Sequence, residues 1–180
     1  FVNFGRIEES HLRAVDFVQA YAIVDSPRRF HTIVTSSAGY PLDRTYYQTI
    51  KGMVTPMDIL EPGGTIIMVS ECSEGLGSAH FQDAQRRLVA LGVEAFAESL
   101  SHKELADIDE WQTEMQLKPM RVGTIRLYTK GLDADDLLLT GVEPTASVEA
   151  AVLTSIAEHP GAVAVIPEGP YVIPRYRPAG

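Results

Sequence analysis

A single cysteine, Cys72, stands in 180 residues, so no disulfide can close within the chain, and a reducing compartment is expected. Long apolar runs are missing as well. The longest, Ala20 to Val24 and Ala162 to Ile166, fall far short of the roughly 20 residues that span a bilayer. No charged-then-apolar leader opens the chain, and a cytoplasmic protein without a membrane partner is expected. Positive charge is scarce, with 15 Lys and Arg against 24 Asp and Glu and a net charge of −9. No local basic cluster offsets this, so a nucleic-acid backbone is repelled. The five histidines, His11, His31, His80, His102 and His159, show no H-x-H or H-x-x-x-H spacing, and no metal site is readable. The loop ECSEGLG, Glu71 to Gly77, lacks both the full G-x-G-x-x-G pattern and a P-loop lysine. Its glycines are read as positions of positive φ, with Glu71 and Cys72 lining a cleft at most and Cys72 a small buried side chain.

What is present suffices for a folded domain. Hydrophobic residues make up 45% of the chain, its mean hydropathy is near zero, and the length suits one domain at about 100–200 residues each. It begins at Phe1 rather than methionine, so a longer parent is expected. Helical spacing of Leu12, Val15, Val18 and Ala22 predicts an amphipathic helix from Ser10, its N-cap, to about Val24. FHTIVTSSAG (30–39) and TIIMVSE (65–71) read as neighbouring parallel strands. Helices are expected over 78–91, 107–117 and 147–158, strands over 124–130 and 162–167, and an extended tail over 171–180. The acidic run Asp133 to Asp136 reads as a helix N-terminus. Strands alternating with helices predict an α/β layered sandwich with a largely parallel sheet flanked by helices.

Between the first two strands lies GYPLDRTYYQTIKGM, Gly39 to Met53. Asp43 is a candidate N-cap for a helix running toward Lys51, with Gly52 weakening its end and a second turn restarting at Thr55-Pro56. Gln48 and Lys51 are then i,i+3 and Tyr47 and Lys51 i,i+4, which puts all three on one face. The helix lies beyond the carboxyl end of a strand, where α/β folds bind ligands. Free N–H groups at its start and the Lys51 ammonium both favour an anion, although Lys51 lies about two turns in, beyond the dipole's reach. A small carboxylate suits such a site. Tyr, Gln and Lys are equally ordinary on a half-exposed helix face, and spacing leaves both readings open.

GYPLDRTYYQTIKGM, followed by EPGGTIIMVSECSEGLGSAHF, resembles the C-terminal domain of the nickel-dependent lactate racemase family, with its G-Y-P-L-D-x-x-x-Y-Q-x-x-K segment and the later G-G-x-I-I-x-x-x-E-C-x-x-G-x-G. The likeness continues through FGRIEESHLRAV, SHKELADIDEWQTEM, VEPTASVEAAV and VIPEGPYVIP, so it covers nearly the whole chain. It implies a parent that racemises or epimerises a 2-hydroxy acid by reversible hydride transfer to a nickel-pincer nucleotide. Metal, cofactor, and acid and base histidines would all belong to an N-terminal domain absent from these residues. Carried over by position, Gln48 and Lys51 match the substrate-binding amide and lysine, Tyr47 the pocket tyrosine, and Trp111 the pocket tryptophan. None is the acid or base, and the isolated domain should be inactive.

Trp111 also shares a helical stripe with Ile108 and Met115, and such a stripe is as readily core as pocket. His11 and His102 recur in the family pattern and are read as capping or packing residues. Pro56 departs from the smooth helix expected after Lys51. A competing reading is a non-catalytic domain of the same fold that binds a small anion or carboxylate. A stand-alone hydrolase using Cys72, Ser36 or Ser37 lacks a G-x-S-x-G elbow.

Overall fold

The computed structural model describes residues 1–178. Its centre is a five-stranded sheet built from β2 (Phe30–Ser36), β3 (Leu60–Val69), β4 (Thr124–Tyr128), β5 (Glu143–Pro144) and β6 (Val163–Ile166), in the order β5-β4-β3-β2-β6 with every pair parallel. The expected α/β architecture with a parallel sheet is therefore present, and the two strands read as neighbours are neighbours, Ile33 lying opposite Ile66 and Thr35 opposite Met68.

Successive strand residues face opposite sides of the sheet. On one side Ile33, Ile66, Met68, Ile125 and Leu127 form the main core, beneath helices α2 (Tyr46–Val54), α3 (Ala79–Leu91) and α5 (Glu110–Val122). On the other side α7 (Val148–Glu158) lies over β2 and β3, and its Ser155 hydroxyl meets that of Thr32 at 2.6 Å. The connections from β2 to β5 run one way, whereas β6 returns to the opposite flank of β2. The order thus reverses at β2, and the crevice beyond its carboxyl end is where ligands bind in open α/β sheets.

Serine and aspartate side chains cap three helices. Ser78 accepts from the N–H of Phe81, Ser147 from that of Ala150, and Asp133 from that of Asp136, the last opening α6 (Ala134–Leu139). Three expectations are corrected. Helix α1 spans Ile7–Ala22, three residues ahead of Ser10, whose N–H donates to the Arg6 carbonyl. None of its residues is buried, so the expected apolar stripe has no core beneath it here. Ile23 and Val24 leave the helix for β1 (Ile23–Ser26), which pairs in parallel with β7 (Ile173–Tyr176) in a separate two-stranded ribbon. Finally, α5 starts at Glu110 and runs to Val122, later and longer than expected, and α4 (Val93–Ser101) was not anticipated. The expected extended tail instead contains β7, entered through a 3-10 turn at Gly169–Tyr171, and residues 179–180 lie outside those described. No described helix is long and apolar enough to cross a membrane.

Candidate functional site

Helix α2 carries three of the four residues singled out. It begins at Tyr46 and not after Asp43, because Thr45 holds an extended backbone (φ −133°, ψ 154°) from which its hydroxyl accepts the Gln48 N–H. Gly52 does not end it. A Cβ there would lie 2.8 Å from the Ser36 carbonyl and 2.6 Å from Met68 Cε, so the missing side chain is what lets α2 lie against the end of β2. Past Val54 the chain tightens into a 3-10 turn, Thr55–Ile59, with Pro56 near its start, which accounts for the kink read from the sequence.

The buried face of α2 holds Tyr46, Thr49, Ile50 and Met53, leaving Tyr47, Gln48 and Lys51 toward the outside. Lys51 is exposed, and among the described residues its ammonium has no ion-pair or hydrogen-bond partner. Gln48 is half-buried, and its Oε1 is buried without a partner. Such an orphan costs about 1–3 kcal/mol.

The expected anion site at the helix start is not formed. The N–H of Tyr46 donates to the Gly75 carbonyl at 3.0 Å and that of Tyr47 to the Leu76 carbonyl at 2.9 Å, and the Gln48 N–H belongs to Thr45. The loop read for its glycines supplies those acceptors, with Gly75 at φ +76° and Gly77 at φ +125°. Attraction for an anion on α2 therefore rests on Lys51 alone.

Trp111 comes to the site from α5. Its indole meets Tyr47 edge-on with 6.0 Å between ring centroids, and Tyr47 in turn meets Phe81 edge-on at 5.2 Å. The Gln112 amide nitrogen donates to the Tyr47 carbonyl at 2.7 Å, tying α5 to α2. Trp111 is 48% exposed and Ile108, outside the helix, is 65% exposed, so the stripe through Ile108 and Trp111 is not core. Next to Trp111, Glu110 is buried and accepts from Lys103 at 2.8 Å, from the Asp107 N–H at 3.1 Å and from Arg87 at 2.5 Å. Burial works to raise its pKa, but the bonds from Lys103, the Asp107 backbone and Arg87 outweigh it and hold the carboxyl below its ordinary value.

Two further residues complete the cluster and were not anticipated. Asp109 and Ser78 are joined by a hydrogen bond of 2.5 Å from the serine hydroxyl. The Tyr47 phenol is pushed up in pKa first by burial and then by the charge and hydrogen bond of Asp109. Ser78 was legible as a helix cap, but nothing local marks Asp109 as its partner.

The other candidates do not gather here. Cys72 is fully buried beside Thr49 and Ser70, as a small core side chain. The Ser36 hydroxyl is spent on the Pro167 carbonyl and Ser37 is fully buried, so no histidine-activated nucleophile forms. His102 stands at the C-terminal cap of α4, and His11 is exposed on α1.

The profile of the lactate racemase C-terminal domain family matches residues 26–173. The lactate racemase of Thermoanaerobacterium thermosaccharolyticum is 26% identical over 95% of this chain, which spans 40% of that relative's length. That of Lactiplantibacillus plantarum is 35% identical over 43% of the chain and 18% of its own length. Among solved structures, the lactate racemase apoprotein from Thermoanaerobacterium thermosaccharolyticum superposes with a TM-score of 0.82 at 23% identity, over 93% of this chain and 40% of that one. A Thermotoga maritima protein superposes with a TM-score of 0.59 at 10% identity, over 94% and 42%.

Proposed function

Because the chain belongs to the lactate racemase C-terminal domain family, we propose that it is the substrate-holding part of a racemase or epimerase acting on a 2-hydroxy acid. In this reading Lys51 anchors the carboxylate as a point charge, Gln48 adds a directional hydrogen bond through its amide nitrogen, and Tyr47 and Trp111 wall the pocket. The observation that carries it is the pairing, on one helix face at the switch of the sheet, of an exposed cation without a partner among the described residues and the half-buried amide of Gln48.

Racemisation asks for an unusual grip. The reacting carbon must turn from one face to the other without the molecule escaping, so the carboxylate is held while the rest stays mobile. An ammonium tolerates such turning because its donors are not fixed in a plane, whereas a guanidinium fork would resist it. The two aromatic rings exclude water from a bound keto acid.

The nickel-pincer nucleotide supplies the reversible hydride transfer. Among the described residues no three His, Cys, Asp or Glu side chains gather closely enough to hold a metal ion, and in this reading the rest of the parent would supply the donor set. In this reading the residues here hold a carboxylate, and the cofactor, acid and base would come from the part of the parent outside this chain.

The test is racemisation of D- and L-lactate and other 2-hydroxy acids by the cofactor-loaded parent beside its Lys51→Ala variant. Loss of a charge-assisted hydrogen bond worth about 1.5–3 kcal/mol should raise KM on the order of ten- to a hundredfold. Unchanged kinetics would remove Lys51 from the site. Carboxylate binding without turnover of any acid would favour the non-catalytic binding domain.

A further inference from the structure

The buried face of α5 is polar for much of its length. Glu110, Gln112, Thr113 and Gln116 lie in it beside Leu117 and Pro119. An apolar helix face can settle into several similar packings, whereas a buried network of directional hydrogen bonds admits one. Gln116 donates to the Thr140 carbonyl at 2.6 Å and accepts from Gln85 of α3 at 2.7 Å. The same Thr140 carbonyl accepts from the Tyr46 hydroxyl of α2 at 3.0 Å. Gln112 makes the direct link between the two helices, its amide nitrogen reaching the Tyr47 carbonyl at 2.7 Å.

Two observations set Gln112 apart from its neighbours on this face. It follows Trp111 in the chain and its bond ends on Tyr47, so it joins the two stretches of backbone from which the facing rings of Trp111 and Tyr47 project. It is also kept at a cost. The Tyr47 carbonyl lies within α2, whose own ladder supplies it with a donor, and Gln112 takes only the second lone pair. Helix α2 therefore has no need of this bond. Gln112 is 1% exposed, and its Oε1 is buried without a partner, a penalty that a methionine of the same length would avoid. A donor kept where an apolar side chain would pack without penalty points to a use for its bond.

We propose that Gln112 is a positioning residue, which ties the backbone of α5 to that of α2 and so sets the distance between Trp111 and the face carrying Tyr47, Gln48 and Lys51. The purpose of the tie rests on the substrate-holding reading above; its geometry does not. Being buried, Gln112 acts through Trp111 and makes no contact with substrate.

Trp111 is the sole tryptophan of the chain, so its emission reports on this place alone. In Gln112→Met the domain should melt close to the unaltered chain, because the lost bond is offset by the lost orphan oxygen. The indole should nevertheless move more freely, seen as a faster decay of its emission anisotropy, and lactate affinity should fall several-fold. In the cofactor-loaded parent the same variant should raise KM several-fold and leave kcat near its original value. Gln116→Met supplies the contrast: it breaks a tie farther from the indole, and should lower the melting temperature while leaving anisotropy and affinity as they were. The unaltered chain offers a check that needs no variant, an NMR coupling across the hydrogen bond from the Gln112 side-chain nitrogen to the Tyr47 carbonyl carbon. Absence of that coupling would overturn the proposal. So would anisotropy and affinity unchanged in Gln112→Met, or an affinity that falls in both variants in step with their melting temperatures. An indole freed in Gln112→Met while lactate binds neither the variant nor the unaltered chain would uphold the tie and overturn the substrate-holding reading instead.

Discussion

The indole of Trp111 stands edge-on to the Tyr47 ring, with the planes at 88° and the centroids 6.0 Å apart, although one side chain comes from α5 and the other from α2. Edge-on pairs contribute about 0.5–1.5 kcal/mol each, and Tyr47 makes two, with Trp111 and Phe81. Tyr47→Ala is therefore expected to cost roughly 1–3 kcal/mol and to shift Trp111 emission to the red as the indole gains water. A thermal melt with an emission spectrum checks both, and an unshifted spectrum would mean the two rings are not coupled.

Because Lys51 is the sole positive charge on α2, carboxylate binding should respond to salt. Between about 0.01 M and 0.1 M the Debye length falls from about 30 Å to about 10 Å, and lactate affinity should fall several-fold across this range. Calorimetric titration at the two ionic strengths measures it. In Lys51→Gln both the affinity and its salt dependence should be lost; a wild-type affinity indifferent to salt counts against the anchor.

Glu110 gives the domain a dependence on acid. Its folded-state pKa is depressed below the ordinary 4.5, so its stabilisation is present above that value and is lost as pH falls through the folded-state value. Glu110→Ala strands Arg87 and Lys103, which are partly exposed, and should cost about 2–3 kcal/mol, less than the 3–5 of a fully buried pair. At this chain length that is a fall in Tm of about 4–12 °C. The stability gap between parent and Glu110→Gln should close as pH drops below 4.5, and urea melts over that range decide it.

Gly52→Ala tests how α2 is seated. The added methyl meets the Ser36 carbonyl and Met68, and overpacking of this kind costs about 1–3 kcal/mol. Since Gly52 adjoins Lys51, lactate affinity should fall along with stability. A variant as stable as the parent would show that α2 has room to move.

Much of the fold was legible because it is written locally. The β-branched runs of β2 and β3, and Ser78 and Ser147 ahead of α3 and α7, carry their own signals. Asp43 and Thr45 are both able to cap a helix, and the choice between them was settled by tertiary contact: the Asp43 carbonyl is taken by the Cys72 N–H, and Thr45 alone presents its oxygen to the helix. Helix α4 has a readable spacing in Val93, Phe96, Ala97 and Leu100, but its nine residues follow α3 after Gly92 alone, a single-residue break that is a weak local signal.

The site divides in the same way. The shared face of Tyr47, Gln48 and Lys51 follows from helical spacing. The satisfied N–H groups at the start of α2 and the bond from Ser78 to Asp109 do not, because their partners are loop carbonyls and a carboxylate that only the packed chain brings near. For Trp111 the stripe with Ile108 and Met115 misled, since α5 begins after Ile108 and leaves that residue in the preceding loop.

The ribbon of β1 and β7 joins residues 23–26 to residues 173–176, drawing together segments from opposite ends of the order of elements. It is only four residues long; its ion pairs are a fork from Arg175 to Asp25 with a further bond from Arg177, all at exposed positions where ion pairs contribute little. It is tied to the turn after α2 by the Tyr176 N–H on the Asp58 carboxylate, with Arg29 over the Tyr176 ring. A lone two-stranded ribbon is marginal in water. Its amides should therefore exchange with solvent well ahead of those of β3, and loss of the ribbon should leave the five-stranded sheet standing. Stability in this molecule is graded: the ribbon should open before the five-stranded sheet on which α2 and Lys51 are seated.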